Sequence, residues 1–341
     1  MSTRKKMTIY TLAEELGISP STVSKVVNNT GKVSDRTRKR VLEYIKKVGY
    51  VPSTSARMLK SKSTRTIGIV FTEELGIGLE HSFFSSILQH FKTYMESEGY
   101  DLTFIVPKMG ESRLTYYQWC LNKRVDGVFI VVGDYNDKDI YELVDSGIPC
   151  VSTDMILNNL HSVVSDNDQG VNLIVKYIKE ELKLTKVGMI VGPQHSKAFK
   201  ERYQSFIKYM EEYNLEINEK YIIEVSGFGF TSGYRAALEL IKNELPEVIF
   251  VSSDEIAVGF IKALRENNVE IPKDLQIIGF DDVVIAKHIT PSLTTIQQNT
   301  KELGEEAAKT LLSLIEPNKT TPSYIKRIPV KLVERESTIK K

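Results

Sequence analysis

The sequence predicts an α/β protein, with a small N-terminal helical headpiece leading into a core of doubly wound parallel sheets. Three observations carry this. Residues 8–50 hold three short helical patterns with a tight turn after the first. From residue 66 onward, short apolar runs alternate with amphipathic stretches, as strands buried on both faces alternate with helices. Charge divides at the same place. Residues 1–66 carry 15 Lys+Arg against 4 Asp+Glu, a net of +11, so in a chain of net +1 the other 275 residues carry −10. A basic head on an acidic body is the electrostatic footprint of a nucleic-acid binder.

In the headpiece, Leu12, Ala13 and Leu16 mark a first helix that stops at Gly17. Ser19 is a good N-cap and Pro20 suits the first position of a second helix ending near Asn28. Val23, Val26 and Val27 form its expected buried stripe, leaving Ser21, Thr22, Ser24, Lys25 and Asn28 on the polar side. Ser34 caps a third helix with Val41, Leu42, Ile45 and Val48 facing inward. Two helices joined by a short Gly-containing turn form a helix-turn-helix unit, whose second helix enters the DNA major groove. Any small three-helix unit gives a similar stripe, so charge and further motifs must support the reading.

The core alternates regularly. Strands are expected at 67–71, 102–106, 127–132 and 149–152, with helices at 83–98, 111–124 and 138–146. A second series has helices at 170–182, 198–213, 232–243 and 255–267, with strands at 187–191, 221–225, 248–251 and 275–279. Two open α/β halves in tandem imply a ligand cleft between them.

A chain of 341 residues accommodates two or three domains, and 41% apolar with 26% charged residues is ordinary for a soluble globular protein. No apolar run follows Arg4, Lys5 and Lys6, and no window approaches 18 uncharged apolar residues, so neither a signal peptide nor a membrane span is expected. Cys120 and Cys150 lie in apolar surroundings and read as buried free thiols; a disulfide or metal site is the alternative. His81, His90, His161, His195 and His288 show no metal-ligand spacing. No cofactor, metal site or catalytic residue is expected, and the cytoplasm is the expected compartment. The Gly-rich 227–233 segment lacks a P-loop lysine and reads as a loop before a helix. Asp281 and Asp282 sit at a strand's carboxyl end, where open α/β sheets bind ligands, although either could equally cap a helix.

The run TLAEELGISPSTVSKVVNN, then Val33-Ser34, Thr37-Arg38 and GYVPSTSARML, resembles the headpiece of the LacI/GalR family of bacterial transcription regulators. RVDG from Arg124, IIGFDD ending at Asp282 and VERES from Val333 extend the resemblance over essentially the whole chain. It implies a headpiece at 1–52, a hinge helix at 53–65 and a periplasmic-binding-protein-like core of two subdomains. The first would hold 66–165 plus 296–323, the second 166–295 plus 324–341. Residues 294–296 would cross back to the first subdomain, and a strand over 325–333 would cross again.

The resemblance also implies roles. Thr8, Ile9, Pro20, Ser21, Thr22, Ser24, Lys25, Asn28, Lys32, Tyr50, Ser53, Ala56 and Leu59 match DNA-contacting positions. Lys25 stands where the family has an Arg that reads guanine; Lys can reach the same acceptors but lacks the rigid fork. Leu59 matches a minor-groove wedge on a hinge helix that orders only on operator. Phe83, Phe84, Asp154, Arg202, Phe228, Ser253, Asp254, Asp281 and Gln298 match effector-contacting positions, with Ser253 replacing the usual Asn. Carboxylates and a guanidinium with aromatic faces suit a sugar. The expected protein is a homodimeric, effector-responsive repressor, not an enzyme and not membrane-bound. Its expected partners are a pseudo-palindromic duplex operator and a small effector, a sugar or sugar phosphate. A solute-binding receptor is the competing reading; the basic headpiece argues against it.

Overall fold

In the computed structural model the described residues are 7–27, 30–50, 63–72, 78–106, 108–316 and 322–340. Asn28, the hinge helix and its Ser53, Ala56 and Leu59 fall outside them. The chain divides into two compact units at residue 64.

The first unit holds α1 (Ile9–Leu16), α2 (Pro20–Val27) and α3 (Asp35–Val48). Thr8 and Thr11 close a reciprocal capping box at the start of α1, and Gly17 ends it in the left-handed region at φ 62°. The Ser19 hydroxyl accepts from the Thr22 amide at 3.1 Å, giving α2 the expected cap. Leu12, Ala13, Val23, Val26, Val41 and Tyr50 make the core, with Val27 packed at its edge. Leu42 is a correction: it is 49% exposed, because it follows Val41 by one residue and so points about 100° around the helix from it. Arg40 donates to the Leu16 carbonyl and the Tyr44 hydroxyl to Glu15, fastening α3 to the end of α1.

The second unit has two lobes, each built on a six-stranded sheet. The first lobe uses β1 (Thr66–Phe71), α4 (Ser82–Ser97), β2 (Asp101–Phe104), the two-residue strands β3 (Lys108–Met109) and β4 (Ser112–Arg113), α5 (Tyr116–Lys123), β5 (Gly127–Val132), α6 (Lys138–Asp145), β6 (Cys150–Ser152) and β7 (His161–Ser165). The second uses α7 (Asn167–Tyr177), a π turn (Ile178–Leu182), β8 (Val187–Val191), α8 (Lys197–Glu212), β9 (Ile217–Glu224), α9 (Phe230–Leu240), β10 (Val248–Val251), α10 (Asp254–Glu266), β11 (Gln276–Asp281), a 3-10 turn (Val284–Lys287) and β12 (Thr294–Gln297). The chain then returns with α11 (Thr300–Ile315) and β13 (Ile325–Ile328) to the first lobe and ends with β14 (Lys331–Val333) in the second. The strand orders are β13-β7-β6-β5-β1-β2 and β14-β12-β11-β10-β8-β9; in these two sheets only the β12–β14 pair is antiparallel.

Three expectations change. Residues 294–296 do not leave the second sheet, since Thr294–Gln297 pairs in parallel with β11; the crossing follows at 298–299. The expected strand over 325–333 is two strands. Ile325–Ile328 pairs with β7 in the first sheet, and the break comes at Pro329, which has no N–H to continue a ladder. Residues 111–124 are not one helix: a β3–β4 hairpin precedes α5, whose start is set by a capping box between Thr115 and Gln118.

Side-chain layers close both sheets. In the first lobe, Ile87, Phe91 and Met95 of α4 meet Leu303, Ala307 and Leu311 of α11 over Ile67, Ile69 and Phe129. In the second, α9 and α10 cross at backbone contact distance. A Cβ at Gly233 would lie 1.8 Å from the Ile256 carbonyl oxygen, and one at Gly259 would lie 1.9 Å from that of Phe230. Backbone cannot yield as a flexible side chain can. Gly233→Ala is therefore expected to destabilise the fold by at least about 1–3 kcal/mol, the usual cost of overpacking. Denaturant unfolding measures it; an unchanged midpoint would show that the two helices separate freely.

Candidate functional site

The strand ends of the two lobes face each other across a cavity, with about 890 Å³ of empty space counted together with its opening to solvent. Open α/β sheets place ligands at this edge because loops and helix starts, with their unpaired polar groups, converge there. Phe83 and Phe84 reach it from the first turn of α4, packed edge-to-face at 5.0 Å. Phe228 lies on the opposite side, edge-on to His195 at 5.5 Å and beside Phe199 at 5.7 Å. These rings give the cavity apolar faces.

The charged centre is Arg202 on α8. It is 5% exposed although it lies on a helix most of whose other charged residues face solvent. Its Nε donates to Asn167 Oδ1 at 2.9 Å and its Nη1 to the Ser252 carbonyl at 2.6 Å, with Asp281 Oδ1 at 3.5 Å. The guanidinium plane lies 3.7 Å over the Phe280 ring. Burial lowers the Arg202 pKa and raises that of Asp281, and each charge pulls the other back towards ionisation. Gln298, in the segment crossing between lobes, donates to Asp281 Oδ1 at 2.6 Å. Asp281 has φ 128° and Asp282 φ 56°, a backbone that side-chain-bearing residues rarely adopt and that turns the strand end sharply.

Neither aspartate is a helix cap. The 3-10 turn that follows has no side-chain cap, and Asp282 binds Arg335 and Gln297, each at 2.5 Å. The turn is held instead by Asp254, whose Oδ2 accepts from the Val283 amide at 3.0 Å and whose Oδ1 accepts from Thr295 Oγ1 at 2.6 Å. Asp254 is fully buried behind the cavity wall. It is the one expected effector residue that does not line the cavity; Phe83, Phe84, Asp154, Arg202, Phe228, Ser253, Asp281 and Gln298 all do. Its carboxylate is consumed in shaping the loop that presents Asp281. Ser253 lines the cavity and also caps α10, accepting from the Ile256 amide at 3.4 Å.

Asp154 is presented by a turn in which the Ser152 hydroxyl accepts from the Asp154 and Met155 amides at 3.1 and 2.9 Å. Its own carboxylate receives the Gly133 amide at 3.4 Å. Burial pushes its pKa up to about 6, offset in part by that bond and by Arg202. Beside it, Thr153 Oγ1 and Ser165 Oγ are buried, line the cavity and have no hydrogen-bond partner. His81 Nδ1, also on the wall, has none either, and burial lowers His81 to about 4, so its ring is neutral near pH 7. The sequence reading missed His81, Thr153, Ser165, Asn167 and Glu201. Ser165 ends β7, a strand whose HSVVS run has too few apolar residues to stand out.

In the headpiece, Pro20, Ser21 and Lys25 are exposed on α2, Thr22 and Ser24 are half-buried, and Thr8 and Lys32 are exposed. Ile9 is half-buried and packs on the headpiece core. Tyr50 is 8% exposed, and its ring packs in the core of the unit.

A helix-turn-helix unit with an open polar face, followed by a two-lobed core with a cavity of aromatic faces around a buried charged centre, defines a ligand-responsive DNA-binding regulator. Residues 8–53 match the bacterial regulatory proteins of the lacI family, and residues 180–338 match a periplasmic binding protein-like domain. The chain is 30% identical over 338 residues to the HTH-type transcriptional repressor PurR of Vibrio cholerae, covering 97% of both chains. Among solved structures, it superposes on a Lac repressor dimer bound to operator and the anti-inducer ONPF with a TM-score of 0.85 at 24% identity, covering 98% of this chain and 100% of the other. A complex of the regulator CelR with cellobiose gives 0.72 at 25% identity, covering 97% and 100%. The chain belongs to the lacI family of bacterial regulatory proteins. It is a transcriptional regulator and not an enzyme.

Because burial raises Asp154, its ionised form costs stability above pH 6 and the cost disappears once the group is protonated in both folded and unfolded chains. Asp154→Asn is expected to raise the melting temperature at pH 7, with the gain vanishing below about pH 4, the unperturbed carboxyl range. Melting curves at the two pH values check this; a gain that persists at low pH would trace it to packing instead.

Proposed function

We propose that this protein represses transcription as a homodimer in the cytoplasm, gripping a pseudo-palindromic operator with paired headpieces. A small polar effector in the interlobe cavity, a sugar or sugar phosphate, switches it. The observation that carries the effector half is the pair of buried, unpartnered hydroxyls, Thr153 Oγ1 and Ser165 Oγ, on one wall with Asp154. Buried polar groups without partners are costly, and a ligand rich in hydroxyls would satisfy them while the Phe83, Phe84 and Phe228 rings cover its C–H faces. Cellobiose bound to CelR supports the same class of ligand. Among the described residues no helix is long and apolar enough to cross a membrane.

Operator choice rests on the exposed face of α2. Lys25 there offers a flexible cation in place of a bidentate fork, and Pro20 and Ser21 offer few donors, so base readout by this helix is modest. The effector acts by population shift: it binds the lobes better in one relative arrangement and biases the headpieces accordingly. The net +11 of residues 1–66 supports a largely electrostatic grip.

Operator affinity is expected to fall about tenfold or more over a fourfold rise in salt, and Lys25→Ala to cost about 1–3 kcal/mol and relax preference at one base pair. Fluorescence anisotropy with labelled duplexes measures both; salt-independent binding would sink the DNA half. Thr153→Val is expected to weaken binding of the sugar found by thermal-shift screening by about 0.5–1.5 kcal/mol. Operator binding should stay intact. Unchanged affinity by calorimetric titration would remove this wall from the effector site.

A further inference from the structure

The cavity is charge-balanced on one side and not on the other. On the second-lobe side each lining carboxylate has a cation: Asp281 faces Arg202 at 3.5 Å, and Glu201 pairs with Arg327 at 3.2 Å. Lys197, at the start of α8, adds an exposed positive charge there. The described residues lining the first-lobe side include Asp134 and Asp154 but no lysine or arginine. Asp134 is bonded within its own turn, accepting from the Asn136 amide at 2.8 Å and its side chain at 3.2 Å. Among the described residues the Asp154 carboxylate accepts one hydrogen bond, from the Gly133 amide at 3.4 Å, where a carboxylate has about four acceptor positions. Burial outweighs that bond and the pull of Arg202 together, so the negative charge is under-compensated. Beside it Thr153 Oγ1 and Ser165 Oγ, each on a residue 6% exposed, have no partner. These groups stand at the ends of β6 and β7, neighbours in the sheet, and all line the cavity.

A protonated amine brings what this wall lacks: a positive charge with several N–H donors and no acceptor. A sugar hydroxyl could fill the same acceptor positions but would leave the carboxylate's charge unbalanced. The rings of Phe83, Phe84 and Tyr135 line the same side, and aromatic faces attract cations. We propose that the effector carries a protonated amine, as an amino sugar does, and binds with that amine against Asp154, Thr153 and Ser165. The inference rests on the cavity being the effector site and adds the charge that selects among polar ligands. Asp154 is then the residue that sets preference for an amine over a hydroxyl, and a phosphate group on that side is disfavoured.

The test uses the full-length protein and pairs of monosaccharides that differ at one carbon only, ammonium in one and hydroxyl in the other. D-glucosamine with D-glucose, D-galactosamine with D-galactose and D-mannosamine with D-mannose are such pairs. Calorimetric titration at pH 7 should show at least one amine bound roughly five- to tenfold tighter than its hydroxyl partner, because hydrogen bonds between charged groups are worth more than neutral ones. Asp154→Asn keeps the shape of the side chain and removes the charge. It should bring that ratio close to one while changing the affinity of the hydroxyl partner little. A loss that falls equally on both members would make Asp154 a structural residue and overturn the proposal. If the hydroxyl member binds as tightly as the amine in every pair that binds, the amine falls and the sugar reading stands. If no member of any pair binds, both fall.

Discussion

The Arg202 guanidinium is the interaction on which the ligand-binding core depends. A buried cation is tolerated only when its donors are met and its charge is balanced. Here Asn167 comes from the helix that opens the second lobe, Ser252 from the end of β10, and Asp281 and Phe280 from the end of β11. One side chain thereby joins three separate segments at the carboxyl edge of one sheet. Asn167 in turn donates to Glu201, which pairs with Arg327 on the first lobe at 3.2 Å. The network ties the floor of the cavity to the segments that cross between lobes.

The loop carrying Asp281 shows how much structure is needed to present one carboxylate. Two consecutive residues at positive φ bend the chain out of β11. Asp254 holds the bend from behind through the Val283 amide and Thr295. Even Gly279 contributes: a Cβ there would come within 2.2 Å of Asp254 Oδ1. Asp254 thus shapes the cavity wall from behind rather than lining it.

The alternating core, the headpiece helices and part of the cavity lining were legible in the sequence, because apolar periodicity, capping residues and family motifs mark them locally. What escaped depends on contacts between distant segments. β7 is built largely from His and Ser, whose burial follows only from their neighbours in the sheet. The exit from the second lobe after β12 and the split at Pro329 are choices of pairing partner, which no local pattern encodes. Arg202 could be matched by position, yet its burial is set by Phe280 and Asn167, far from it in sequence. Asp254 and Asp281 are both aspartates at the sheet edge, and only coordinates show which faces the cavity.

The threefold crossing between lobes has a consequence for biosynthesis. The headpiece core draws only on residues before 51, so it can form as soon as that segment leaves the ribosome. Neither lobe has that freedom. The first lacks α11 and an edge strand until residue 328 has emerged, and the second lacks its last strand until residue 333. Nascent chains thus carry a finished, basic DNA-binding unit ahead of two incomplete sheets. Loss of even the last dozen residues would strip β14 and the Arg335–Asp282 pair from the second lobe while leaving the headpiece whole. Such a fragment would keep the headpiece and lose the edge strand of the second sheet, so a molecule truncated there could hold nucleic acid without answering to a ligand.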